Sequence, residues 1–183
     1  MGIYGDAMKY DLAIYHRRSI RLKGFDYSQS GAYFVTLCSH NRECLFGEIS
    51  NNQMLLNPYG IIVHDEWLKS TFIRSEIELD EFIIMPNHIH GIVSIHKNIG
   101  QNKENSQFAP IGPKNKSISS FVAGFKSAVT KRINEMREIP KALVWQRNYY
   151  EHIIRNEKSL KKIREYVIYN PQTWENDSLF YHL

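Results

Sequence analysis

Apolar residues recur along this chain at two different periods, and the change between them marks out its elements. Gly31-Ala-Tyr-Phe-Val-Thr-Leu-Cys38 is dense in β-branched and aromatic residues and reads as a buried strand. Asn57-Pro58 is a helix start, an N-cap followed by proline at the first helical position, and Tyr59, Ile62, Val63 and Trp67 then recur at helical spacing. Phe82-Ile-Ile-Met85 and Ile89 to Ile95 are strands, and Pro86-Asn87 between them closes a tight hairpin. Ile118, Phe121, Val122, Phe125, Val129, Ile133 and Met136 form one stripe at 3.6-residue spacing. A strand near Tyr149 to Ile154 follows, then a helix from about Glu157 to Tyr169 that Asn170-Pro171 halts.

The order is strand, helix, strand, strand, helix, strand, helix. It predicts a ferredoxin-like α+β fold, an antiparallel sheet with helices on one face plus a C-terminal helix. Around it lie a polar, basic arm over 1–30, a loop over 97–116 rich in Gly, Asn, Gln and Ser, and a short tail over 173–183. The predicted folded domain spans 31–172, and no internal repeat is visible.

Composition narrows the class. Of 183 residues, 43% are hydrophobic and 23% charged, which excludes collagen-like, low-complexity and wholly disordered chains. No run approaches the roughly 18 apolar residues of a membrane span. Residues 1–15 carry Asp6 and Asp11 and lack the apolar core of a secretory signal. Two cysteines, Cys38 and Cys44, suit a reducing compartment, so the expected location is the cytoplasm, and the nucleoid if the partner is DNA.

The net charge of +4 says little until it is located. From Lys97 to Lys141, nine Lys/Arg face three Glu; from Asn57 to Glu81, two basic residues face six acidic ones. A molecule polarised in this way suits a polyanion held against one side. Candidate contacts are Arg17, Arg18 and Arg21 of the arm, and Lys126, Lys131 and Arg132 on the polar side of the long stripe. A solvated basic face is the competing reading for each.

The most specific local chemistry is Pro86-Asn87-His88-Ile89-His90. Strand side chains alternate, so His88 and His90 share one face while Ile89 points into the core. Two imidazoles so placed can chelate a divalent metal, although His-x-His also arises by chance. In the last helix Leu160, Ile163 and Val167 form the docking stripe, with Tyr166 and Asn170 one turn apart at its edge. Asn170 offers a carbonyl oxygen, a ligand suited to Mg²⁺ or Mn²⁺. Of the pair Tyr149-Tyr150, one faces the core and the other is free to stack on a base.

Met85-Pro-Asn-His-Ile-His-Gly-Ile-Val93 resembles the His-hydrophobic-His segment of single-tyrosine HUH transposases. Trp145-Gln-Arg-Asn-Tyr-Tyr-Glu-His-Ile-Ile-Arg-Asn-Glu157 and Tyr166-Val-Ile-Tyr-Asn-Pro171 are similar to the REP-associated branch, and Arg17-Arg-Ser-Ile-Arg-Leu22 and Tyr33-Phe-Val-Thr36 fit as well. The resemblance runs from about residue 16 to 172. It implies that Tyr166 is the nucleophile, that His88 and His90 are metal ligands with Asn170 as the third, and that the cofactor is Mg²⁺ or Mn²⁺. Insertion-sequence members of the family often carry Gln where this chain has Asn170. The implied reaction is cleavage and strand transfer of single-stranded, hairpin-containing DNA through a covalent 5′-phosphotyrosine, as in transposition. A general base is not identified, with His152 a candidate by segment, and monomer and homodimer both stay open.

Two rivals remain at this level. A non-catalytic ferredoxin-like module gripping single-stranded nucleic acid has no need of His88, His90 and Asn170 together. A metal-dependent phosphodiesterase with water as nucleophile needs the metal but not Tyr166.

Overall fold

The computed structural model describes residues 30–96 and 116–180. The basic arm with Arg17, Arg18 and Arg21, and nearly all of the 97–116 loop, lie outside the described residues.

Six strands and three α-helices follow one another as β1 (Gly31–Cys38), β2 (Gly47–Ser50), β3 (Gln53–Leu56), α1 (Pro58–Ile73), β4 (Ile77–Met85), β5 (His88–Ile95), α2 (Ile118–Met136), β6 (Tyr150–Ile154) and α3 (Glu157–Tyr169). The main sheet has the order β4-β5-β1-β6, and its pairings are antiparallel. This is the α+β sandwich predicted from the sequence, with the C-terminal helix added. The small β2–β3 hairpin is an element the apolar pattern does not announce. Its signal is Asn51-Asn52, both at positive φ (50° and 59°), the conformation a two-residue hairpin turn requires and Asn tolerates.

Helix starts follow their caps. Asn57 Oδ1 accepts from the amides of Tyr59 and Gly60 ahead of Pro58, and its Nδ2 donates to the Leu45 carbonyl. Ser117 and Ser120 form a reciprocal capping box on α2, and Asn156 caps α3 through the Ser159 amide. The α-helix ends at Tyr169 as expected, yet the chain does not leave. It continues as a 3₁₀ stretch over Asn170–Asn176 and brings Trp174 into a buried position.

The two faces of the sheet bury different things. Tyr33, Val35 and Leu37 of β1, with Ile89, Val93 and Ile95 of β5, pack against Trp67 of α1 and Phe121, Phe125, Val129 and Ile133 of α2. On the other face Phe34 and Ile92 receive Val167 of α3, with Leu160 and Ile163 beside it. Between these layers Gly91 passes so close to Trp67 that a Cβ there would fall inside the indole, against Cζ2 and Cη2. At the outer strand the β4–β5 register shifts between Leu79 and Phe82. The irregularity includes Asp80, whose two carboxylate oxygens take Nε and Nη2 of Arg164 at 2.9 and 2.6 Å. This fork fixes α3 to the sheet edge. Among the described residues, no helix is long and apolar enough to cross a membrane.

Candidate active site

Alternation along β5 puts His88 and His90 on the α3 face, with ring centroids 4.3 Å apart and both side chains buried. Each ring is oriented through Nδ1. His90 Nδ1 lies 2.8 Å from Thr36 Oγ1 on the neighbouring strand, its registered partner. His88 Nδ1 lies 2.8 Å from Asn87 Oδ1. The Asn87 amide has no freedom to turn over, because its Nδ2 donates to the carbonyls of Arg42 and Leu179 at 3.2 and 2.9 Å. Its oxygen therefore faces His88, Nδ1 carries the proton, and Nε2 is left with a lone pair. That Nε2 is buried and has no hydrogen-bond partner among the described residues. Burial holds both imidazoles neutral, His88 well below the ordinary histidine range and His90 at about 4. Neutral imidazole is the form that ligates a metal.

Tyr166 comes from α3. Its ring packs edge-on against Phe34, with centroids 6.1 Å apart. Its hydroxyl lies 3.1 Å from His90 Nε2 and 3.4 Å from Asp177 Oδ2, while 44% of the residue stays exposed. One turn on, buried Asn170 donates from Nδ2 to Asp177 Oδ2 at 2.9 Å and leaves its Oδ1 without a partner among the described residues. The fold thus collects the four site residues drawn from sequence, Tyr166, His88, His90 and Asn170, on one face.

Asp177 is the addition. Ligand atoms of His88, His90 and Asp177 all lie within 4.8 Å of one another, a spacing that admits one ion. Asp177 lies in the tail, which carries no motif. It reaches the site because the 3₁₀ stretch turns the chain back under Trp174, whose ring stands 5.8 Å from that of His88. With two imidazole nitrogens, a carboxylate and an unpartnered carboxamide oxygen, the donor set fits a divalent ion such as Mn²⁺ or Mg²⁺. Burial and the adjacent Asp177 carboxylate push the Tyr166 phenol up to about 12, so these protein groups alone do not produce a phenolate. His152 is exposed on β6 and is not hydrogen-bonded to Tyr166.

The basic residues of α2 sit on the opposite side of the sheet from Tyr166. Arg132 is engaged with α1, donating to Glu66 at 2.8 Å and Asp65 at 3.4 Å. Lys131 is exposed, 3.9 Å from Glu135. Lys126 is largely buried over the Tyr149 ring and donates to the carbonyls of Gln146 and Asn148; burial lowers its ammonium to about 8. Of the tyrosine pair, Tyr149 turns inward and donates to Glu151 at 2.8 Å, whereas Tyr150 is exposed on the face of Tyr166.

No family model matches the chain. It is 45% identical over 178 residues to an uncharacterized protein of Haemophilus influenzae, covering 94% of this chain and 97% of that one. It is 24% identical over 154 residues to a second Haemophilus influenzae protein, provisionally named REP-associated tyrosine transposase, covering 80% of this chain and 73% of that one. The fold superimposes on that of a REP-associated tyrosine transposase bound to a REP hairpin, with a TM-score of 0.59 and 18% identity over 85% of this chain and 74% of that one. In sequence, at 24% identity, and in fold, this chain is therefore similar to REP-associated tyrosine transposases.

Proposed function

We propose that this protein cleaves and rejoins single-stranded DNA at hairpin-forming repeats, with Tyr166 as nucleophile and a divalent ion held by His88, His90 and an oxygen of Asn170 or Asp177. The observation that carries this reading is the hydroxyl of Tyr166 set 3.1 Å from one of two buried imidazoles, in a site where two buried polar atoms, His88 Nε2 and Asn170 Oδ1, have no partner among the described residues. Unpartnered buried polar atoms are costly, and two together beside a reactive hydroxyl are best explained by a ligand.

The protein's part in the reaction follows from its groups. Arg164 and Val167 fix α3, so Tyr166 Oη meets the scissile phosphorus in a set direction. As the P–Oη bond forms and the P–O3′ bond breaks, the phenolic proton passes to the Asp177 carboxylate, its acceptor at 3.4 Å. The leaving O3′ takes its proton from water, giving a 3′-hydroxyl and a 5′-phosphotyrosine. Because one phosphodiester replaces another, a 3′-hydroxyl attacking that linkage restores DNA and returns Tyr166 without ATP. A bound divalent ion supplies the positive charge that polarises the phosphate and offsets the unfavourable surroundings of the phenolate.

The test uses 5′- and 3′-labelled single-stranded hairpin oligonucleotides from the protein's own genomic flanks, incubated with Mn²⁺ or Mg²⁺. An SDS-stable protein–DNA adduct is expected, absent with Tyr166→Phe and absent with EDTA. Cleavage without an adduct, indifferent to Tyr166→Phe, would replace the tyrosine by water. Binding without cleavage would favour a module that only holds DNA.

A further inference from the structure

A second surface rich in basic residues lies away from Tyr166. Between α2 and residues 141–147 lies an open groove of ≈ 490 Å³. Lys126, Lys131, Lys141 and Arg147 line it, Leu143 and Trp145 add apolar surface, and among the described residues no carboxylate contributes to its wall. Lys141 and Arg147 are exposed and make no ion pair among the described residues. Lys131 has only the distant, exposed Glu135 beside it. Unlike charges answered within the fold, as Arg132 is by Glu66, these remain available to an outside anion.

The groove is rigid where it needs to be. Its 141–147 wall is pinned to the end of β1, with Gln146 N donating to the Cys38 carbonyl and His40 N to that of Val144. Lys126 Nζ bonds two carbonyls of the same segment from below, holding Gln146 and Asn148 in place. The wall then runs directly into β6. Arg147 is three residues, at most about 10 Å of chain, from Tyr150, which is exposed on the face of the sheet that holds His90 and Tyr166. Exposed cations and an exposed aromatic ring therefore lie on one path around the end of the sheet, the combination suited to an unpaired strand.

We infer that this groove binds the phosphates of a single-stranded DNA flank as it leaves the catalytic face across Tyr150, with Lys131, Lys141 and Arg147 as the contacts and Lys126 as the residue that positions the wall. A single strand fits better than a duplex, because Tyr150 and Leu143 (64% exposed) offer flat apolar surface to unstacked bases. The inference rests on the reading of the protein as a DNA enzyme, and the experiment separates the two.

Fluorescence anisotropy in EDTA would compare the full chain with K141E/R147E on a labelled 12-nucleotide oligothymidine and on a blunt hairpin without overhang. The expected result is at least a tenfold loss of affinity for oligothymidine, less than a twofold change for the blunt hairpin, and a salt slope shallower by about 1.4, or 0.7 for each of two lost phosphate contacts. A control, K158E/K162E, alters the same net charge on α3 and should cost less than threefold. Equal binding by K141E/R147E and the unaltered chain, or an equal loss in the control, would overturn the groove. If the unaltered chain binds neither probe and forms no Tyr166 adduct with Mn²⁺, the DNA reading itself falls.

Discussion

On the face of the sheet covered by α1 and α2, Trp67 meets Phe82, Phe121 and Phe125 at ring-centroid distances of 5.1 to 5.9 Å, inside a continuous apolar cluster. On the face covered by α3, three buried apolar residues adjoin two histidines, a threonine, an asparagine and a half-exposed tyrosine. The same strand, β5, serves both. Its odd-numbered residues fill the dry side and its even-numbered ones face the polar side, so the proposed site is carried on a scaffold whose main apolar cluster lies on the opposite face. Burying His88 with one nitrogen unsatisfied is tolerable because the opposite face is so heavily packed.

The sharpest way to break this division is on the dry side. Trp67→Ala removes a fully buried indole ringed by aromatics and is expected to cost about 3–5 kcal/mol, read as a large drop in the urea midpoint. On the polar side, His88→Ala should leave the melting temperature of the EDTA-treated protein within a few degrees. It should weaken Mn²⁺ binding by more than the roughly 10–100-fold that loss of an outer partner costs, measured by calorimetry. Asn87→Ala, which frees the His88 ring without touching a ligand atom, should fall inside that range. If both faces respond alike in stability, the division is wrong.

Acid sharpens the contrast further. His90 titrates near 4 when folded, against 6.5 for an ordinary histidine, because burial disfavours its charge. The unfolded chain takes up a proton first, so the stabilisation is complete above about pH 6.5 and declines as the pH falls toward 4, by about 3 kcal/mol. Denaturant titrations of the metal-free protein between pH 7 and pH 4 should show this loss together with that of His88, which burial also holds neutral, and His90→Gln should remove the His90 share and leave the His88 share. The smallest effect lies between the helices. Arg132→Ala uncouples α2 from the buried Glu66, leaving only Lys69 at 3.5 Å, and should cost about 1 kcal/mol, the pair being partly open to solvent.

How far the sequence carries follows from where each signal resides. The helices and the β4–β5 hairpin were legible because apolar period, caps and Pro86-Asn87 are local marks. So was the sharing of a face by His88 and His90, since alternation is a property of any strand. Tyr166 and Asn170 were legible as a pair through helical spacing and through resemblance, although their approach to the histidines is a matter of how α3 docks. Asp177 was not legible. A single acid in a polar tail carries no mark, and its role comes from a 3₁₀ stretch that folds it back onto α3. The fate of Arg132 was hidden for the same reason, since Glu66 lies in another helix and only packing brings the two together.

Gly91 gives the two faces a mechanical link. It sits between His90 and Ile92, with the indole of Trp67 pressed against its backbone. Any side chain placed there must push either the tryptophan or the strand, and the tryptophan is wedged among three rings. The strand is the softer partner, so the thrust would be delivered to the imidazole next door. The proposed site can thus be detuned from behind by one methyl group that touches none of its side chains, and glycine at this position keeps the hydrophobic core from displacing the histidines.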